Sequence, residues 1–242
     1  MKRSDVGELA GSLSLGAWTA FGVLTMIVIG DGQPLYGDED LLSWSVAHRP
    51  DVAVAPARHL TATGTGVIPY VLAVLAGIIA GRTRRRRAVA AALCLVCLGA
   101  GQAARYGVMA LVARPRPAHA DWATHASGWA FPSGHTTTAA LTAGLLVISV
   151  FVRAPRGRTL LALLFGCWGA LVGLTRVYLG VHWFTDVVGG WLFALGWLGL
   201  CLCAATWWLP EGFITGTTDT DPEPTEDHAP QDPGRRGRSR PA

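Results

Sequence analysis

Residues Thr175-Arg-Val-Tyr-Leu-Gly-Val-His-Trp-Phe-Thr-Asp-Val-Val-Gly-Gly190 place three ionisable side chains in a region that is otherwise strongly apolar. Arg176 comes first, His182 follows six positions on, and Asp186 four positions after that. At i and i+4, His182 and Asp186 share one face of a helix, so the carboxylate can meet an imidazole nitrogen. A carboxylate on one nitrogen fixes the tautomer and leaves the other as an aimed lone pair, an oriented nucleophile or base. Gly180 interrupts the chain between Arg176 and His182, so the guanidinium can fold back towards the same point. Its planar fork suits phosphate oxygens better than a Lys ammonium would. Taken alone, the stretch also suits snorkelling side chains and a structural ion pair at a membrane boundary. The rest of the chain decides.

Composition points to a membrane. Of 242 residues, 51% are hydrophobic and only 15% charged, against about 25% charged in soluble domains. Ten Trp and thirty Gly suit helices packed in lipid. The net charge of +4 is no argument for nucleic acid, because the Arg residues gather in short turns between apolar runs. Cys94, Cys97, Cys167, Cys201 and Cys203 all lie in apolar segments, and the single C-x-x-C has no partner pair, so neither a disulfide framework nor a zinc site is read.

The spacing predicts an all-α, polytopic bundle of six transmembrane spans. They run over about 15–30, 67–80, 88–112, 134–152, 160–179 and 183–208, with Pro210 ending the last. The first is read as an uncleaved span preceded by a cytoplasmic N-terminus, residues 1–14. Residues 31–64 form a polar excursion, within which Asp40 to His48 are expected to lie along the interface as a short helix. Arg82 to Arg87 and Arg153, Arg156 and Arg158 make basic turns after the second and fourth spans. Under the positive-inside rule both termini are cytoplasmic, in a cell membrane, and the other loops face outward. Residues 209–242, rich in Pro, Asp, Glu and Thr, are expected to be a disordered cytoplasmic tail.

That topology brings three polar clusters to one membrane face. Ala113-Arg-Pro-Arg-Pro117 follows the third span, Pro132-Ser-Gly-His135 opens the fourth, and Arg176, His182 and Asp186 sit at the ends of the fifth and sixth. Chance would scatter them over both faces. Ser133 suits a helix cap, Gly134 admits close approach of backbone to a ligand, and the amides of that first turn make an anion site. Arg116 and Arg176 supply two forks for phosphate oxygens. His135 stands near the bound anion while His182 is held by a carboxylate, a division that matches general acid and nucleophile. His119 and His125, a pair with no third ligand at close spacing, are read as surface loop residues outside the site.

These clusters resemble the signatures of the type-2 phosphatidic acid phosphatase family, integral-membrane lipid phosphatases related to vanadium haloperoxidases. Its pattern is K-x6-R-P, P-S-G-H and S-R-x5-H-x3-D. The second matches at Pro132 to His135, and the third at Arg176, His182 and Asp186 with Thr175 for the Ser. The first departs: Met109 stands where aligning on Arg116-Pro117 puts the Lys, and Gly107 where aligning on Arg114-Pro115 puts it. Arg105, one helical turn earlier on the same face, is the candidate substitute cation, although helical side chains lean the other way. The resemblance implies that His182, held by Asp186, attacks phosphorus to form a phosphohistidine. His135 then protonates the leaving oxygen, and Arg116, Ser133, Gly134 and Arg176 stabilise the phosphoryl oxygens. It implies no metal and no cofactor. The implied substrate is a membrane lipid phosphate or diphosphate, such as an isoprenyl diphosphate, phosphatidate or phosphatidylglycerophosphate, met in the bilayer. The damaged signature leaves a weakened lipid-phosphate binder or transporter as the alternative.

Overall fold

The computed structural model describes residues 3–32, 34–153 and 156–208. Eight α-helices are found there, in chain order α1 (Arg3–Asp31), α2 (Asp38–Ala47), α3 (Asp51–Ala62), α4 (Val67–Ala80), α5 (Arg84–Val112), α6 (Gly134–Arg153), α7 (Arg158–Tyr178) and α8 (Phe184–Trp208). No strand occurs among the described residues. The expected tail at 209–242 lies outside them.

Helix α6 is the hub. Of its most apolar stretch 61% is buried, against 17–44% for the corresponding stretches of α1, α5, α7 and α8. Its Leu141, Leu145 and Leu146 meet Ala73 and Ala76 of α4, Leu98 of α5, and Ala194 and Leu198 of α8. A second cluster joins Phe21 and Val28 of α1, Phe193 of α8 and Phe131, with the Phe21 and Phe131 rings stacked at 5.7 Å. α1 runs along α8, where Ser14 donates to the Gly196 carbonyl at 2.8 Å. Large apolar side chains such as Leu15, Met26, Leu163 and Leu195 point outward at 60–71% exposure, as the lipid-facing surface of a membrane bundle requires.

Among the described residues five helices are long and apolar enough to cross a membrane, and the bent pair α3–α4, a broken span or a re-entrant loop, brings the count to as many as six. The short interfacial helix is present as α2. Two boundaries differ from the sequence reading. α1 begins at Arg3, well before residue 15. The excursion at 31–64 is in part helical, because α3 continues into α4 through a 52° bend, and α4 with 14 residues is too short to span alone. Asp51, Arg58 and His59 disguise α3 as a polar loop, yet its alternation of Ala and Val with them is helical. The elbow is pinned to α7 by Trp168, whose Nε1 donates to Thr63 Oγ1 at 2.9 Å.

The end of α5, the start of α6, the end of α7 and the start of α8 meet at one end of the bundle. There the Ser133 amide donates to the Asp186 carbonyl at 3.1 Å. Gly180 turns the chain from α7 towards α8 with φ +74°, and a Cβ at this position would collide with the Asp121 carbonyl. Gly180→Ala is therefore expected to cost at least about 1–2 kcal/mol from backbone strain alone and to displace His182. Gly166→Ala, in α7 with open space around it, is expected to cost nothing. Thermal unfolding of the two variants in detergent checks the contrast.

Candidate active site

The His182–Asp186 pair forms, but across a helix start rather than along a helix. Helix α8 begins at Phe184, so His182 sits in the preceding turn and Asp186 in the first turn. Asp186 Oδ2 accepts from the Trp183 amide at 2.9 Å, which is the reach-back of a capping box. The same oxygen accepts from His182 Nδ1 at 3.2 Å. Gly189, one turn on, lets the Phe131 ring lie flat against α8, where a Cβ would collide with it. This brings the Pro132–His135 segment against Asp186.

The protonation of His182 follows from its other neighbour. Arg116 Nη1 lies 2.8 Å from His182 Nε2, and a guanidinium can only donate. Nε2 is therefore the acceptor, Nδ1 carries the proton, and the ring is neutral. Electrostatics agree: burial, and then the positive charges of Arg116 and Arg176, hold the His182 pKa well below the usual histidine value. Arg116 itself is tied down by the Ser127, Gly128, Trp129 and Val181 carbonyls at 2.8–3.1 Å. Its fork binds two loops together as well as facing the histidine.

Sequence reasoning missed what lies behind Asp186. Arg114, 5% exposed, donates from Nη1 to Asp186 Oδ1 at 2.6 Å and from Nη2 to Asp38 Oδ2 at 2.8 Å. Asp38, in the first turn of α2, is 1% exposed and also accepts from the Thr185 amide and hydroxyl at 2.9 and 2.7 Å. The signal was present in the doubled Arg-Pro of Ala113–Pro117 and in the acidic run from Asp38, but nothing in their spacing paired them.

A cavity of about 350 Å³ opens beside His182. Its walls include Arg105, Met109, Arg116, His125, Gly134, His135, Arg176 and His182. His125 is thus brought to the wall, contrary to its reading as a residue outside the site, because Ala123 pairs with Leu179 and Arg116 gathers residues 127–129. His119 instead stacks on Trp122 at 3.9 Å. Ser133 is fully buried, accepts from the Thr136 hydroxyl at 2.9 Å, and is not on the wall. Arg176, 2% exposed, reaches Thr61 Oγ1 at 3.3 Å while its Nε has no partner. Arg105, 3% exposed, does rise against the usual lean: Nη1 lies 3.4 Å from Met109 Sδ, and its guanidinium carbon packs 3.4 Å from where a Cβ on Gly134 would sit.

Two outcomes test this geometry. In the ligand-free protein, His182 is expected to titrate well below pH 6.5, and Arg116→Ala to raise that pKa by removing a cation and admitting water. Histidine-selective NMR reads both. Arg114→Ala strands two buried carboxylates and is expected to cost about 3–5 kcal/mol, measured by thermal unfolding, whereas Thr185→Val, which keeps that ion pairing, is expected to cost less.

Comparison with known proteins bears on the same residues. The PAP2 superfamily model matches residues 90–210, from α5 to the end of α8. Phosphatidylglycerophosphatase B of Bacillus subtilis (strain 168) is 32% identical over 137 residues, covering 55% of this chain and 66% of its own length. The decaprenylphosphoryl-5-phosphoribose phosphatase of Mycolicibacterium smegmatis is 35% identical over 153 residues, covering 60% of this chain and 75% of its own. Both are named phosphatases, in agreement with the phosphoric ester hydrolase expected from the sequence. A crystal structure of a transmembrane PAP2-type phosphatidylglycerolphosphate phosphatase from Bacillus subtilis matches with a TM-score of 0.65 and 24% identity. It covers 86% of this chain and 98% of its own, and so supports the all-helical membrane fold. With Gly134 and His135 of the P-S-G-H motif and Arg176 and His182 of the R-x5-H-x3-D motif converging on one cavity inside the matched region, the chain belongs to the PAP2 superfamily of lipid phosphatases.

Proposed function

We propose that this multi-pass membrane protein hydrolyses a phosphomonoester or diphosphate of a lipid through a phosphohistidine on His182, without a metal. The observation that carries the reading is the imidazole itself. Its Nδ1 proton is held by Asp186, and its Nε2, which accepts from Arg116, stands at a cavity lined by Arg105, Arg116 and Arg176. None of the three has a carboxylate in ion-pair range among the described residues. Such a cavity attracts an anion.

In the reaction, Nε2 attacks phosphorus while the bond to the leaving oxygen breaks, and His135 supplies that oxygen's proton. His135 next takes a proton from water, whose oxygen displaces Nε2 and releases inorganic phosphate. Arg116, Arg176 and the amides at Gly134 stabilise the equatorial oxygens, with Ser133 holding the turn; such charge stabilisation is usually the largest catalytic term. Arg105 stands in for the lysine that Met109 replaces. The single carboxylate of the site, Asp186, is already shared between His182 and Arg114, which favours Arg rather than metal charge compensation. The positive-inside rule sets both termini in the cytoplasm and the cavity at the outer interface. There a lipid, isoprenyl diphosphate or glycerophospholipid, can present its phosphate with its tail still in the bilayer.

The test is phosphate release from a panel of lipid phosphates in detergent with EDTA present. Wild type is expected to turn over, to be inhibited by vanadate, and to lose at least about 10³-fold in kcat on His182→Ala. Release that depends on added metal, or that survives His182→Ala, overturns the mechanism. Lipid binding without any release supports the weakened binder instead.

A further inference from the structure

Arg105 sits one helical turn before Met109, and from there a side chain on α5 leans away from the phosphate site. Its guanidinium nevertheless reaches that site: the carbon and Nη1 both lie 3.4 Å from where a Cβ on Gly134 would stand. Two of its neighbours are permissive. The Tyr106 ring lies 3.8 Å from the guanidinium carbon, and Met109 Sδ lies 3.4 Å from Nη1. A ring face and a thioether accept a cation over a broad range of angles and do not fix the rotation of its fork. The bond that fixes it is Arg105 Nε to Gln102 Oε1 at 3.3 Å. With Nε committed one turn back, Nη1 is left facing Met109 and Gly134.

The orientation of Gln102 is in turn set from α6. Thr138 donates its one hydroxyl proton to the Gly134 carbonyl at 2.8 Å. Towards Gln102 that oxygen can then only accept, and Gln102 Nε2 donates to it at 2.5 Å. The amide must therefore turn its NH₂ to Thr138 and its oxygen to Arg105. A flipped amide would set two donors against each other at Arg105 Nε. The bonds run in one direction, from Arg105 through Gln102 and Thr138 to Gly134, and all four residues stand on the cavity wall. The chain thus starts at the guanidinium and ends on the backbone of the turn beside which that guanidinium lies. Met109 is its complement. A lysine there would set an ammonium against Arg105, whereas a thioether leaves the arginine room and a weak acceptor.

We propose that Gln102 is a positioning residue of the phosphate site, which with Thr138 aims Arg105 at the Gly134 turn and so lets it serve where Met109 replaces the lysine. This rests on the phosphatase reading above and deepens it. Gln102 does not touch the substrate; its effect on turnover passes through Arg105.

The experiment is a double-mutant cycle on the full chain in detergent. It reads kcat/KM for phosphate release from phosphatidylglycerophosphate and from a prenyl diphosphate, together with the inhibition constant of vanadate. Arg105→Gln is expected to lower kcat/KM by about tenfold or more and to weaken vanadate by a similar factor, as the loss of one charge-assisted contact does. Gln102→Met keeps the length of the side chain without its amide, and is expected to weaken both by about three- to tenfold. In the Arg105→Gln background, Gln102→Met is expected to change neither by more than about twofold. Thr138→Val breaks the same chain from α6; it is expected to act in the same sense, again only while Arg105 is present, and it carries the test if Gln102→Met does not fold. Factors that multiply in the double variant overturn this inference and leave the phosphatase reading standing. So does an Arg105→Gln with wild-type kcat/KM, or a Gln102→Met that lowers the unfolding temperature without moving kcat/KM or vanadate inhibition. No release by wild type from either lipid overturns the phosphatase reading, and this inference with it.

Discussion

One guanidinium with two carboxylates holds the site together. Arg114 is buried between Asp38 and Asp186, groups that come from a loop, an interfacial helix and a membrane helix. Buried charges are costly unless each has partners of good geometry, and here each has. Asp38 adds the amide and hydroxyl of Thr185, and Asp186 adds the Trp183 amide and His182. Such a unit contributes little net stability compared with an apolar replacement. Its effect is positional, because no member can move without stranding another. Asp186 is fixed, and through it the Nδ1 proton and ring plane of His182.

The cations on the other side of His182 follow the opposite rule. Arg105, Arg116 and Arg176 are bonded to carbonyls, a hydroxyl, an amide and a thioether, and to no carboxylate among the described residues. The molecule thus separates its ion pairs from its unneutralised cations with the imidazole between them. Carboxylates behind the ring set its tautomer, and bare guanidinia in front set its preference for an anion. An anion bound among these guanidinia would relieve their mutual repulsion and so stabilise the fold.

What was legible in the sequence, and what was not, divides along contact range. The all-helical membrane architecture, with five or six candidate spans, followed from lengths of apolar sequence and Arg-rich turns, which are local properties. The pairing of His182 with Asp186 followed from a four-residue spacing, although the pair forms at a helix start rather than within a helix. The cavity's convergence on Arg116, His135, Arg176 and His182 followed from topology. Arg114 with Asp38 did not, because 76 residues separate them and no period connects a loop to an interfacial helix. The helical nature of Asp51–Ala62 was hidden by its charges, which read as a loop until the elbow at Thr63 and its tie to Trp168 are seen. His125 was set aside on spacing and is drawn to the cavity wall by backbone ties of Arg116 and Ala123.

The Arg116–His182 hydrogen bond joins these two halves. The Nε2 lone pair, the nucleophile of the proposed mechanism, accepts a guanidinium N–H at 2.8 Å. A phosphoryl group entering the cavity offers that N–H a charged oxygen, and charge-assisted bonds to oxyanions are roughly twice as strong as those to neutral acceptors. The donor therefore transfers from nitrogen to oxygen. Since the four carbonyl ties of Arg116 remain, the exchange needs no large motion, only a shift within a fixed fork. The same step frees Nε2 and places positive charge on the oxygens it will confront. In the proposed mechanism, the cation that holds His182 neutral is also the cation that stabilises its attack, and substrate binding converts one role into the other.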